Sequence, residues 1–352
     1  MSTRAEWHCR RQEIHKQAEK YIYGEKPPKP EVVSGSVTKT KISVHAEYMG
    51  KKIDFSADVV LPTTGRAPYP AIINLGAKGG FGGITLGEKF ILDQGVAVIY
   101  YNHYDLGKEG TPEQSRGKPN PGKFYDLYGG KHSAGLLMSW SWGASRLLDV
   151  LHQYGGEIID VSGIGVTGCS RNGKGAFTVG VFDDRIALTI PQETSTGGLP
   201  AYRIVDVLNT ERTDHNYNGL NWLSDNFAPF VLNATQLPVD SHEMVAMLAP
   251  RGLLVLDNPH VNQFGAPAAH TAVLAGAEVY KQLGVEANIS YISTVANETH
   301  CASGKPEYNE PLKANIAKFL KHENTKTGEI KAHSKATGDL SKWRDWKTPV
   351  LQ

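Results

Sequence analysis

Six short apolar runs recur along this chain, and most are separated from the next by a helical pattern. They cover residues 71–75, 96–101, 163–167, 187–190, 253–256 and 289–292. A strand with one wet face alternates apolar and polar residues, whereas an unbroken apolar strand needs cover on both faces. The clearest intervening helix is 134–152, AGLLMSWSWGASRLLDVLH, with an apolar stripe at helical spacing. Apolar strands alternating with helices predict a mostly parallel sheet with helices packed on both sides.

The N-terminal part reads differently. Residues 1–25 form an amphipathic helical pattern ending at Gly24, and GEKPPKPEVV follows as an extended, proline-rich connection. Residues 35–62 alternate, with strands expected near 37–48 and 53–61. An antiparallel start leading into a parallel remainder suits an α/β-hydrolase sheet. With 352 residues and no internal linker or repeat, the chain reads as one catalytic domain, 1–352. Residues 1–34 would be a helix and extended arm, and 321–352 a polar tail, carrying Trp343 and Trp346, that wraps the surface.

Composition excludes several classes. Lys+Arg and Asp+Glu are 37 and 36, a net charge of +1, so no nucleic-acid footprint is present. No apolar run reaches the roughly 18 residues of a membrane helix. The three cysteines, Cys9, Cys169 and Cys301, form no CxxC, and the 13 histidines form no HExxH. Neither a metal nor a cofactor is therefore expected.

The sharpest local signal is residues 161–175, VSGIGVTGCSRNGKG. An apolar strand runs into a glycine-flanked serine, Ser170, and a helical pattern follows from Gly173. That is the layout of a nucleophile elbow, where a strained strand–helix turn needs small neighbours. Gly168 stands two before the serine. On the other side the glycine is displaced by one, with Asn172 second and Gly173 third. The same string also fits an ordinary βα turn with a serine N-cap, but not a P-loop.

A serine nucleophile needs a general base, and the base needs a carboxylate to orient it. In α/β hydrolases the chain order is serine, acid, histidine. His300 follows the last apolar run in NETHCA and is the base candidate; His132 and His242 read as structural. For the acid, Glu193 follows the strand after the elbow helix, and Asp257 ends the run LLVLD, the more usual position. Arg171 follows Ser170, so its backbone N–H is placed to serve an oxyanion.

GCSRNGKGAF resembles the signature of the glucuronoyl esterases, a carbohydrate esterase family with an α/β-hydrolase fold. WHCRRQEI, FYDLYGGKHSAG, the tryptophan-rich helix after it, RIALTIPQE, LAPRGLLVLDN and THCA resemble the same family in the same order. The resemblance spans about 7–320. It implies Ser170 as nucleophile, Glu193 rather than Asp257 as the acid, His300 as the base, and the Arg171 guanidinium facing the oxyanion. It further implies Lys174 and Glu211 as substrate-binding residues and a disulfide between Cys169 and Cys301, leaving Cys9 buried and free.

The sequence also departs from the family pattern. The segment LNTERTDHNYNGLNWLS is short, and Gly219 stands near an expected glutamate, with Glu211 taken as the counterpart of a glutamine. Gln263 occupies the place of an expected pocket tryptophan. These losses bear on specificity for 4-O-methyl-glucuronate more than on the chemistry.

The expected function is hydrolysis of esters of (4-O-methyl-)glucuronic acid, as in linkages between lignin and glucuronoxylan. The partner is thus a carbohydrate ester substrate, not nucleic acid or a membrane, acted on by a monomer. The alternatives are a broader carboxylesterase and a non-catalytic sugar-binding homologue. A disulfide implies an oxidising compartment. The start, lacking an apolar leader core, is then expected to be that of a secreted or periplasmic protein whose signal peptide was removed. The sequons at Asn233, Asn288 and Asn297 are read as unmodified, which points to a bacterial source.

Overall fold

Each of the six apolar runs becomes a strand. The computed structural model of the chain describes residues 3–79, 84–109, 120–208, 210, 217 and 221–351. The strands are β1 (Val32–Val37), β2 (Lys41–Tyr48), β3 (Lys51–Val60), β4 (Tyr69–Leu75), β5 (Ala97–Tyr101), β6 (Ile159–Cys169), β7 (Leu188–Gln192), β8 (Gly252–Leu256), β9 (Ile289–Ser293) and β10 (Ile330–Ala332). They form one sheet in the order β1-β2-β3-β5-β4-β6-β7-β8-β9-β10. Pairings from β1 through β3 to β5 are antiparallel, and all the others are parallel. This is the α/β-hydrolase arrangement expected.

The unbroken apolar runs follow from burial on both faces. Along β4, Ala71, Ile73 and Leu75 enter one core and Ile72 enters another. The first core holds α1 (Arg4–Ala18), α4 (Leu136–Tyr154) and α5 (Arg171–Phe182), with Trp140 and Trp142 fully buried. The second holds Ile91 of α2 (Glu88–Asp93) and Tyr308, Leu312 and Ile316 of the helix Pro306–Leu320. Each such buried aliphatic side chain contributes roughly 1.5–3 kcal/mol over an exposed one. A short α3 (Lys123–Tyr128) packs near β2 and β3.

Three expectations are corrected at the edges. The arm expected to be merely extended supplies β1, which pairs with β2 from Val32↔Glu47 to Val37↔Ile42. The strand expected over 37–48 is broken by a turn at 38–40, where the Thr38 side chain accepts from Lys41 N at 3.0 Å. The polar tail does more than wrap, because Ile330–Ala332 pairs with β9 as a parallel edge strand.

Helix α1 starts on a capping box between Thr3 and Glu6, and a π-helical turn, Glu19–Tyr23, runs on to Gly24 at φ 81°. Its inward face is Trp7, Ile14 and Ala18. Cys9 is exposed, not buried. Two residues beyond Trp7 it lies about 200° around the helix, on the wet side. No helix among the described residues is long and apolar enough to cross a membrane.

Candidate active site

Strand β6 delivers Ser170 to the start of α5 through a tight, strained turn. Ser170 has φ 58° and ψ −127°, a conformation that costs a non-glycine residue on the order of 1–3 kcal/mol. The surroundings hold it there: its N–H donates to Gln192 O at 3.0 Å and its carbonyl accepts from Lys174 N at 3.0 Å. A Cβ at Gly168 would meet Asn172 O at 2.4 Å, and one at Gly173 would meet Gln192 O at 2.7 Å. The displaced glycine thus marks where the helix crosses the sheet, and position 172 tolerates asparagine. The turn is an elbow.

Strand β7 ends at Gln192, and the next residue, Glu193, adopts φ 46° with its N–H donating to Leu256 O at 2.8 Å. This turns its carboxylate towards the loop after β9. There His300 Nδ1 lies 2.8 Å from Glu193 Oε2, and the same oxygen accepts from Cys301 N at 2.9 Å. The other oxygen, Oε1, accepts from Lys305 Nζ. Burial pushes the Glu193 carboxyl up, but bonds from His300, Lys305 and Cys301 N–H outweigh it and hold the group below the usual carboxylate range. Phe264 packs its ring edge against His300, with centroids 4.7 Å apart.

Asp257 lies at the end of β8, but its carboxylate accepts from Tyr291 OH at 2.8 Å and from Asn258 N at 2.9 Å. Burial pushes its pKa up to about 6 against those two donors. The carboxylate on His300 is Glu193.

Cys169 and Cys301 are joined by a disulfide with Cα atoms 5.8 Å apart. The bond ties the residue before Ser170 to the residue after His300. The sulfurs of both cysteines, a Glu193 oxygen and a His300 nitrogen lie within 4.8 Å of one another. With the sulfurs bonded to each other, no thiolate is left there to ligate a metal.

Arg171 and Lys174 share one face of α5. Arg171 donates from Nη1 to Glu109 Oε2 at 2.6 Å, and its guanidinium lies 5.6 Å from the Trp222 ring centroid. Lys174 is 1% exposed, and its Nζ sits 4.0 Å from the same centroid. Trp222 donates from Nε1 to Glu109 Oε1 at 2.6 Å. Below this layer, burial pushes the His103 pKa down to about 3, so its ring is neutral between Tyr104 and Trp140, each 4.3 Å away. Gln263 is exposed in the turn Asn262–Phe264 and does not fill the place of a pocket tryptophan. Glu211 and Gly219 lie outside the described residues.

Of the residues singled out in the sequence, Glu193 and His300 are in contact, the residue after His300 is bonded to the residue before Ser170, and Arg171 and Lys174 lie beside Trp222. Sequence reasoning missed Lys305, Glu109, Trp222, Phe264 and His103. Trp222 sat in a string already compared with a family motif. Lys305 carries no local signal beyond its closeness to His300 in sequence.

A sheet of this order, with an elbow serine and a glutamate-bound histidine after its last long strand, defines an α/β-hydrolase of the carboxylic ester hydrolase class. A profile of the family described as "Glucuronyl esterase, fungi" matches residues 44–284. The chain is 35% identical to the 4-O-methyl-glucuronoyl methylesterase of Hypocrea jecorina, covering 100% of this chain and 73% of that protein. Against the enzyme of that name from Thermothelomyces thermophilus the identity is 36%, over 98% and 84%. The catalytic domain of the Hypocrea jecorina glucuronoyl esterase superposes with a TM-score of 0.88 at 33% identity, covering 100% of this chain and 93% of that one. A serine-to-alanine variant of the Sporotrichum thermophile enzyme, solved with methyl 4-O-methyl-β-D-glucopyranuronate, gives 0.88 at 35%, over 100% and 92%. The chain belongs to the glucuronoyl esterase family.

Proposed function

We propose that this protein hydrolyses esters of 4-O-methyl-glucuronic acid and that Ser170, His300 and Glu193 carry the reaction. The observation behind this reading is the 2.8 Å contact of His300 Nδ1 with Glu193 Oε2, in a loop tied to the serine elbow by the Cys169–Cys301 bond. Ser170 Oγ attacks the ester carbonyl as His300 Nε2 takes its proton. The tetrahedral intermediate then collapses, and the alcohol leaves with that proton. Water adds to the acyl-enzyme by the same route, releasing the glucuronate and restoring Ser170. Glu193 holds the imidazole in the required tautomer, and Arg171 stabilises the oxyanion through its backbone N–H and guanidinium.

Lys174 takes ring hydroxyls of the uronate beside the face of Trp222. Two cations within one helical turn of the nucleophile exceed what ester hydrolysis requires, and this favours a uronate over a simple acyl group. The Cys169–Cys301 disulfide supports an oxidising compartment, secreted or periplasmic. The test compares benzyl glucuronate with p-nitrophenyl acetate. Arg171→Ala should lower kcat on both by roughly 10²–10³-fold, the effect of removing one oxyanion donor. Lys174→Ala should raise KM for the glucuronate ester by roughly tenfold and leave the acetate unchanged. Equal loss on both substrates with Lys174→Ala would return the site to a general esterase.

A further inference from the structure

Glu109 stands just beyond β5, and nothing in its sequence neighbourhood marks it as functional. Its side chain is 12% exposed, and its two oxygens have separate duties. Oε2 accepts from Arg171 Nη1 and Oε1 accepts from Trp222 Nε1, both at 2.6 Å. Bonds this short to a cation and an indole N–H are charge-assisted and directional. Three segments distant in sequence meet at this one carboxylate: the loop after β5, the first turn of α5, and the segment before Asn226.

The two donors belong to different halves of the site. Arg171 follows Ser170, so its guanidinium sits on the reacting side. Trp222 lies under Lys174 Nζ and forms the floor on the sugar side. The backbone of Trp222 is already fixed, since Leu137 N donates to its carbonyl at 3.2 Å. What its backbone leaves open is the angle of the indole, and Glu109 sets that angle from the ring edge. Arg171 is a long side chain with several rotamers, and a guanidinium that must face an oxyanion gains rate only if it is held there beforehand.

We infer that Glu109 is a positioning residue that fixes the Arg171 guanidinium for the transition state and the Trp222–Lys174 floor for the sugar. This rests on the role proposed above for Arg171. The carboxylate also sets a negative charge against one of two cations placed a helical turn apart. Glutamine cannot replace it fully, because its single oxygen serves one donor while its amide N–H₂ faces the other.

The experiment is a double-mutant cycle on benzyl glucuronate and p-nitrophenyl acetate with Glu109→Ala, Glu109→Gln, Arg171→Ala and the combinations. Glu109→Ala should lower kcat roughly tenfold on both substrates, the loss of one charge-assisted bond, and should raise KM for the glucuronate ester alone. Glu109→Gln should fall between wild type and alanine. In the Arg171→Ala background either change at 109 should alter kcat by less than about twofold, because a residue acting through Arg171 has nothing left to position. Multiplicative losses in the double variants would overturn the inference while leaving the esterase reading intact. Full kcat in Arg171→Ala would overturn the oxyanion role and the inference with it. Glu109→Gln, close to isosteric, serves the same cycle if the alanine variant does not fold.

Discussion

Glu193 and His300 are 107 residues apart in the chain and meet at 2.8 Å, and the oxygen that holds the imidazole also accepts the backbone N–H of Cys301. A carboxylate gripping both the ring and the main chain of the same loop fixes the position and tautomer of the imidazole together. Lys305 holds the other oxygen, so the carboxylate cannot swing away.

If Ser170, His300 and Glu193 act as a unit, their losses do not add. Ser170→Ala and His300→Ala should each lower kcat by several orders of magnitude, and the double variant should be little worse than either. Steady-state kinetics on methyl glucuronate check this, and multiplicative losses would separate the two residues.

Lys305 should shape the acid side of the pH profile. Glu193 is held below the usual range, so its ionised form and the stability it brings are lost only as pH falls through that lowered value. Lys305→Met removes one of the groups holding it down. The acid limb of kcat/KM should move to higher pH, with kcat at neutral pH reduced roughly ten- to hundredfold for one charge-assisted bond. Lys305→Arg should restore part of both. An unmoved limb would show that Lys305 is not needed to keep Glu193 ionised.

Asp257 should matter to stability more than to catalysis. Its folded pKa of about 6 exceeds the unfolded value, so folding gains nothing from its charge. The penalty is absent at low pH, grows as pH rises towards 6, and is complete above it. Asp257→Asn should therefore gain stability relative to wild type between pH 4.5 and 7.5, by on the order of 2 kcal/mol, seen as a growing difference in Tm. Activity should stay within a few-fold, because His300 is bound to Glu193. Comparing the two melting series removes any pH-independent effect of losing one acceptor.

The Cys169–Cys301 bond closes a sequence separation of 132 residues. Replacing both cysteines by serine should destabilise the fold by roughly 2–5 kcal/mol, as for a native disulfide closing a long loop. It should also lower kcat, since the His300 loop then loses its covalent tie to the elbow. Denaturant melts and kinetics of the double variant measure the two effects separately. Mass spectrometry of a non-reduced digest tests the bond itself.

Much of this was legible in the chain itself. A strand covered on both faces is apolar at most positions, so the six runs announced the central sheet, and the alternation of Ile72 with Ala71 and Ile73 between two cores is the same fact in three dimensions. The elbow was legible because backbone crowding at Gly168 and Gly173 is a local requirement that only glycine meets. Ser170, Glu193 and His300 follow strands β6, β7 and β9 in chain order.

What the tertiary structure alone decided are the pairings that no local energy encodes. The edge strands β1 and β10 are short and only partly buried, and exist because β2 and β9 offer unpaired backbone groups. Glu193 and Asp257 both end strands at the same edge of the sheet. The left-handed turn at Glu193 sends one carboxylate to His300, while Tyr291 and Asn258 hold the other. Lys305 and Glu109 reach the site only because separate loops converge at the ends of β5, β7 and β9. Hydrophobic patterning acts between neighbours along the chain and sets which faces are buried. A hydrogen bond between residues a hundred positions apart needs the whole packed sheet to bring its ends within 3 Å.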